Sequence, residues 1–256
     1  SAALAEGFFL VNGGAAAQIP RDNVGKVCSG AVYATSERRV QICGSIIDDS
    51  SRSAQAHAFG YANRSGAYYE LHKLDLALAD ATKAVELWPE YQQGYVIRGT
   101  VLADMGRNKD AFQDLNKAIA MGGGYAPYLS RGHLLLTVGD YRGARADLDQ
   151  AVKLFPTAAA LMWRGYAYNS LGLYDLAQRD LQQVIHSAPQ ESRAWDGRAE
   201  ALLALGNRKD AAADVLHAAS LSKGAGQPGE AEAKIWTDLG DHVSERDDYA
   251  GALAAY

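Results

Sequence analysis

The chain has 256 residues, of which 48% are hydrophobic and 21% are charged, so it carries enough apolar material for a substantial core. A net charge of −5 without a basic stripe argues against a nucleic-acid-binding protein. No apolar run reaches the roughly 18 residues that a membrane-spanning helix requires.

Residues 1–21 are rich in alanine and glycine. The alanines at positions 15–17 resemble the small residues that precede a signal-peptide cleavage site, although no charged n-region precedes them and the sequence begins with Ser1. We interpret this segment either as an N-terminal arm that packs on the first helices or as the remnant of an export signal.

Residues 22–55 are predicted to form a degenerate helix pair that caps the rest of the chain. The pair is expected to break near Thr35, with Ser36 as the N-cap of the second helix. Cys28 and Cys43 are the only cysteines. Their proximity favours a disulfide, and the alternative is two buried free thiols, as in a cytosolic protein.

Residues 56–222 repeat one phrase five times. In its clearest form the phrase runs large, small, large, glycine, small, with Leu161, Gly165, Tyr168, Gly172 and Ala177 in those places. The small residue in the second half of the phrase recurs at spacings of 34, 33, 33 and 34 residues. A fixed period of this length indicates stacked helix pairs, in which small residues mark the points where two helices touch.

In the first half of each repeat the small positions are Ser65, Gly99, Gly132, Gly165 and Ala199. We interpret residues 223–256 as a linker followed by a partial sixth repeat, with Gly240 in the same place. Because this repeat stops within its second helix, its apolar face would need a cover from a neighbouring chain or from further sequence.

The spacing and residue order over 56–256 resemble those of tetratricopeptide-repeat proteins. The pairs Arg98–Gly99 and Asp114–Leu115, which recur in later repeats, are typical of bacterial members, and the cysteine pair is similar to that of exported proteobacterial members. This resemblance implies an all-α fold, a right-handed superhelical solenoid of antiparallel helix pairs. It also implies protein–protein interaction without catalysis.

Each repeat carries an arginine just before the first small residue and an aspartate three residues after the second one. We predict a ladder of structural ion pairs, since a guanidinium grips a carboxylate through two hydrogen bonds; the alternative is a row of independent exposed charges. The residues are Arg64, Arg98, Arg131, Arg164 and Arg198, with Asp80, Asp114, Asp147, Asp180 and Asp214.

The first helix of each repeat is expected to line the concave side of the array. Positions three before, one after and four after the small residue should face the groove and contact a partner, unless some of them pack on a neighbouring helix. The candidates for partner contact at these positions are Tyr69, Val96, Thr100, Leu129, His133, Met162, Tyr166, Asp196 and Glu200. Trp163, two residues before Gly165, is added to them as a residue at the groove edge. An apolar, aromatic middle with an acidic end suits a peptide with some basic character.

No arrangement typical of catalysis, metal binding or cofactor binding occurs in the sequence. The histidines lack the i, i+4 spacing of a helical zinc site, and no glycine-rich loop is followed by Lys-Ser or Lys-Thr. His133 is the one histidine predicted on the groove face, where a lining role without chemistry is the simpler interpretation.

The sequence therefore predicts a non-enzymatic scaffold that binds a peptide or protein segment in its concave groove and has no cofactor. Two alternatives are a self-assembling module, joined through the incomplete last repeat, and the scaffold part of a longer multidomain protein. The expected location is periplasmic or secreted, with the cytoplasm as the alternative.

Overall fold

The computed structural model describes residues 23–30 and 34–222, and within these ranges it contains twelve α-helices and no strand. The helices are α1 (Asn23–Cys28), α2 (Ser36–Asp48), α3 (Ala54–Glu70), α4 (Leu74–Leu87), α5 (Gln92–Asp104), α6 (Asn108–Ala120), α7 (Tyr125–Thr137), α8 (Tyr141–Leu154), α9 (Ala158–Ser170), α10 (Tyr174–Ser187), α11 (Ser192–Ala204) and α12 (Arg208–Ser222).

From α3 onward the helices form successive antiparallel pairs, which confirms the predicted all-α class. The chain divides into two compact units, Ser1–Ala160 and Leu161–Tyr256. The predicted N-terminal arm and the predicted linker with its partial sixth repeat lie outside the described residues, as does the self-assembly surface expected there.

Close contact between the helices of a pair depends on the small residue of the first helix. A Cβ atom added to Gly132 of α7 would lie 2.7 Å from Cγ of Leu148 in α8, and Gly99 and Gly165 have the same relation to Leu115 and Leu181. In the first pair Ser65 takes this place and donates its hydroxyl proton to the carbonyl of Ala77, at 2.7 Å. The small positions predicted as helix contacts in residues 56–222 therefore lie where two helices meet.

A residue with left-handed backbone conformation closes the first helix of each pair. Gly106, Gly139, Gly172 and Gly206 have φ between +72° and +82°, while His72 occupies the same place in the first pair with φ of 56°. An L-residue with a side chain is strained there by contact between its Cβ and the carbonyl oxygen. The first turn therefore carries a local strain that the other four avoid.

We expect the substitution His72→Gly to raise the free energy of unfolding of the first unit by about 1 kcal/mol, because it removes that strain. The imidazole of His72 is exposed, so its loss removes no core contact. Urea denaturation followed by circular dichroism measures the effect. The neighbouring exchange Lys73→Gly is the control and should lower stability, since Lys73 has φ of −95° and gains nothing from glycine.

The N-terminal helices pack on the first repeat. Cys28 and Cys43 are joined by the predicted disulfide, and both are completely buried together with Ile46, Ala58 and Phe59. The predicted N-cap was wrong by one residue. Thr35 caps α2 by accepting a hydrogen bond from the Arg38 amide, at 3.3 Å.

Ser36 is instead the first residue of α2, and its hydroxyl donates to Glu70 at the end of α3. Nη1 of Arg39 lies 2.6 Å from Oε1 of the same Glu70 carboxylate, and both side chains are largely buried. These bonds attach α2 to the first repeat, and the disulfide ties α1 to α2.

Candidate functional site

The first helices carry the residues that were predicted to face a partner, and the structure separates them into two groups. Val96, Leu129 and Met162 are at most 1% exposed. These three are core residues, which corrects their placement on a surface that a partner touches. The physical reason is their position on the helix, since the spacing that points a side chain toward the groove also points it toward neighbouring helices.

In the first unit, the candidates Tyr69 and Thr100 take part in contacts between successive first helices. The Tyr69 hydroxyl donates to Oδ2 of Asp104 at 2.6 Å. Thr100 is only 9% exposed and donates to the carbonyl of Val96 or to Ser130. Tyr69 and His133 remain half-exposed, so this part of the face offers an aromatic hydroxyl and an imidazole to solvent.

In the second unit, α9 and α11 present a group of aromatic and acidic side chains, which we call the acidic–aromatic patch. It consists of the half-exposed residues Trp163, Tyr166, Asp196 and Glu200 and the buried Asn169. The two aromatic rings are tilted against each other with their centroids 5.8 Å apart. The patch thus combines an apolar contact surface with negative charge.

Tyr166 is fixed within this patch by its hydroxyl, which donates to the carbonyl of Arg193 at 2.8 Å. Burial raises the pKa of the Tyr166 hydroxyl far above its ordinary value, and the negative charge of Asp196 adds to the rise. The hydroxyl therefore stays protonated and remains a hydrogen-bond donor at physiological pH.

Asn169 connects α9 to α11. Its Nδ2 donates to the carbonyl of Gly197 at 2.8 Å and to Oε2 of Glu200 at 3.3 Å. Its Oδ1 is buried and accepts no hydrogen bond. The amide thus orients the Glu200 carboxylate and leaves one acceptor atom unused beside it.

Sequence reasoning missed two residues at the edge of the patch, Glu191 and Arg193. The Arg193 guanidinium lies over the Trp163 ring, 5.5 Å from its centroid, and Nε of Arg193 is 3.1 Å from Oε1 of Glu191. Both residues lie at or before the start of α11, outside the three positions counted for the groove. No sequence pattern marks Arg193, because its contact with Trp163 joins residues of two different helices.

The arginines and aspartates of the repeats lie on another side of the helix pairs. In all five described repeats, Nε and Nη2 of the arginine donate to the two carboxylate oxygens of the aspartate sixteen residues later, at 2.6–2.9 Å. Each pair lies within one repeat. The aspartate side chains are at most 10% exposed and the arginine side chains 14–25%.

Aromatic rings cover most of these guanidinium groups, for example Tyr95 above Arg98 and Trp195 above Arg198, at 5.7 Å and 4.9 Å. The hydrogen bond to Asp114 raises the pKa of Arg98, so the guanidinium stays charged throughout the physiological range. Because the ions are bonded to each other in this way, we assign the pairs to the scaffold rather than to ligand binding.

Within residues 23–30 and 34–222, no group of three or more His, Cys, Asp or Glu side chains is arranged to hold a metal ion. The same part of the chain contains no helix that is long and apolar enough to cross a bilayer. What the described surface offers is a set of side chains suited to contact with another molecule.

Comparison with known proteins agrees with this geometry. The sequence profile of the tetratricopeptide repeat matches residues 66–126, 129–177 and 170–228, more than half of the chain. No functionally curated protein matches the chain.

Several solved structures share the fold at low sequence identity. PilF of Pseudomonas aeruginosa is 16% identical with a TM-score of 0.63, covering 78% of this chain and 90% of its own. TTC0263, a tetratricopeptide-repeat protein of Thermus thermophilus, is 20% identical with a TM-score of 0.56, covering 66% and 91%. YrrB, described as having an unusual peptide-binding site, is 20% identical with a TM-score of 0.53, covering 81% and 100%.

Proposed function

The chain belongs to the tetratricopeptide repeat family, and we propose that it is a non-enzymatic scaffold that binds a peptide or protein segment along its first helices. Proteins of this family generally act as interaction scaffolds, and YrrB, with the same fold, is described as having a peptide-binding site. The proposal concerns the first-helix surface of each compact unit.

The acidic–aromatic patch is the observation that carries this proposal. Trp163 and Tyr166 are half-exposed on α9, although large aromatic side chains are otherwise an effective way to fill a core. Tryptophan and tyrosine are enriched among the residues that dominate binding energy at interfaces. Tyr166 is also held by its bond to the Arg193 carbonyl, so the surface is ordered before a ligand arrives.

Selection from an unbiased library of displayed peptides tests the proposal. Peptides selected on the wild-type chain should bind the Trp163→Ala variant about tenfold more weakly, because the indole supplies contact area at the patch. Leu216→Ala is the matched control, since Leu216 is 42% exposed on a second helix of the same unit. Failure to select any peptide, or equal loss in both variants, would contradict binding at the first-helix surface.

We also infer that the protein works in an oxidising compartment outside the cytoplasm, such as a bacterial periplasm. Disulfides persist in such compartments and are rare in the cytosol, and the Cys28–Cys43 bond supports this location. Rapid acid trapping of the cells that make the protein, followed by thiol alkylation and mass spectrometry, should find both cysteines unlabelled unless reductant is added. Two labelled thiols would place the protein in a reducing compartment.

A further inference from the structure

The acidic–aromatic patch and its edge carry a net negative charge. Together they contain three carboxylates, on Glu191, Asp196 and Glu200, and one guanidinium, on Arg193. Asp196 and Glu200 are four residues apart on α11, so they lie on the same side of that helix. The surface that they form is complementary to a positively charged group.

The charge is specific to this unit. The positions that correspond to Asp196 and Glu200 in the three repeats of the first unit are Ala62 and Gly66, Val96 and Thr100, and Leu129 and His133. None of these is acidic. The repeat scaffold therefore does not require carboxylates at these positions, which leaves ligand recognition as a reason for their presence.

Asn169 adds a second feature beside the two carboxylates. The residue is only 4% exposed, and its Nδ2 donates to the carbonyl of Gly197 and to the Glu200 carboxylate. These bonds hold the Glu200 carboxylate in place before a ligand arrives, which lowers the cost of ordering that side chain on binding.

The chain's own Arg193 illustrates the recognition that this surface allows. Its guanidinium combines an aromatic face, on Trp163, with a carboxylate, on Glu191. Aromatic rings and carboxylates attract cationic side chains by complementary electrostatic terms. The carboxylates of Asp196 and Glu200 and the ring of Tyr166 provide the same combination of an aromatic ring with carboxylates.

We propose that the acidic–aromatic patch receives a lysine or arginine side chain from an extended segment of the partner protein, held by the carboxylates of Asp196 and Glu200. This rests on the proposed function, because it names the chemistry of the segment that the first helices bind. The cation donates to the carboxylates, while its alkyl stem lies along the aromatic rings.

The experiment selects peptides from an unbiased displayed library. It compares those that bind the wild-type chain with those that bind a variant in which Asp196 and Glu200 are replaced by their amides. We expect lysine or arginine to be enriched at one peptide position on the wild type, and the enrichment to disappear with Asp196→Asn and Glu200→Gln together. The control double variant is Glu90→Gln with Asp210→Asn, which makes the same change of net charge at exposed positions elsewhere. It should select the same basic peptides as the wild type.

A second measurement needs no protein variant and so does not depend on how the variant folds. In a selected synthetic peptide, the enriched lysine is replaced by norleucine, which keeps the stem and removes the charge. Affinity for the wild-type chain should fall about tenfold or more, and the remaining affinity should depend less on salt.

Each result has a defined consequence. Peptides that bind at the first helices without an enriched basic residue, or whose norleucine form binds equally well, would overturn this inference and leave the proposed function standing. Failure to select any peptide would overturn the proposed function and this inference together.

Discussion

The substitution Gly132→Val should lower the free energy of unfolding of the first unit by about 2–3 kcal/mol. A Cβ at this position would lie 2.7 Å from Cγ and 3.0 Å from Cδ2 of Leu148, and 3.4 Å from the carbonyl oxygen of Ala144. Leu148 is completely buried, so its side chain has little room to move away. The two helices would have to separate, and the contacts along the pair would weaken together. Chemical denaturation followed by circular dichroism measures the loss.

Gly44→Val is the matched control, because a Cβ at Gly44 meets only Nη1 of Arg64, at 3.8 Å. That exchange, also within a helix, should change stability by less than about 1 kcal/mol. The pair Gly132→Val and Leu148→Ala provides a further check, since the valine would fill space that the leucine vacates. Strictly additive effects of these two substitutions would show that α7 and α8 do not touch at this point.

The repeat register was predictable from the sequence because it follows from a steric requirement. Two helices approach closely only where a side chain is nearly absent, so Gly99, Gly132 and Gly165 had to recur with the period of the unit. The glycines that close the first helices follow equally directly from their left-handed conformation, as at Gly172. The helix contacts and the helix ends both depend on backbone geometry, and a recurring glycine in the sequence is enough to indicate each of them.

The candidate site was less predictable, because burial depends on neighbours that the helical period does not specify. Counting along one helix predicted the side of the helix on which Val96 and Leu129 lie. It could not predict that both side chains are buried. The contact of Arg193 with Trp163 joins residues thirty positions apart on different helices, and no local pattern indicates it. Ser36 shows the same limit on a smaller scale, since its long-range bond to Glu70 replaced the local cap expected for it.

Removing the disulfide with Cys28→Ala and Cys43→Ala should destabilise the helix pair α1–α2 by about 3 kcal/mol, the value expected for a bond that closes a loop of about fifteen residues. The sequence separation of the two cysteines is 15 residues. Repeat arrays lose stability locally, because each unit contacts only its neighbours. Amide hydrogen exchange in α2 should therefore become roughly a hundredfold faster, while exchange in α7 and α8 stays unchanged.

Reduced wild-type protein separates the covalent constraint from the packing of the sulfur atoms. Both cysteines are completely buried, so the alanine variant loses core volume as well as the bond, whereas reduction keeps most of the volume. If the covalent bond supplies most of the stabilisation, the amides of α2 should exchange at similar rates in the reduced wild type and in the double alanine variant. Unchanged exchange in both would mean that α2 is held without the disulfide, by the bonds from Ser36 and Arg39 to Glu70 and by the apolar packing of α2 on α3.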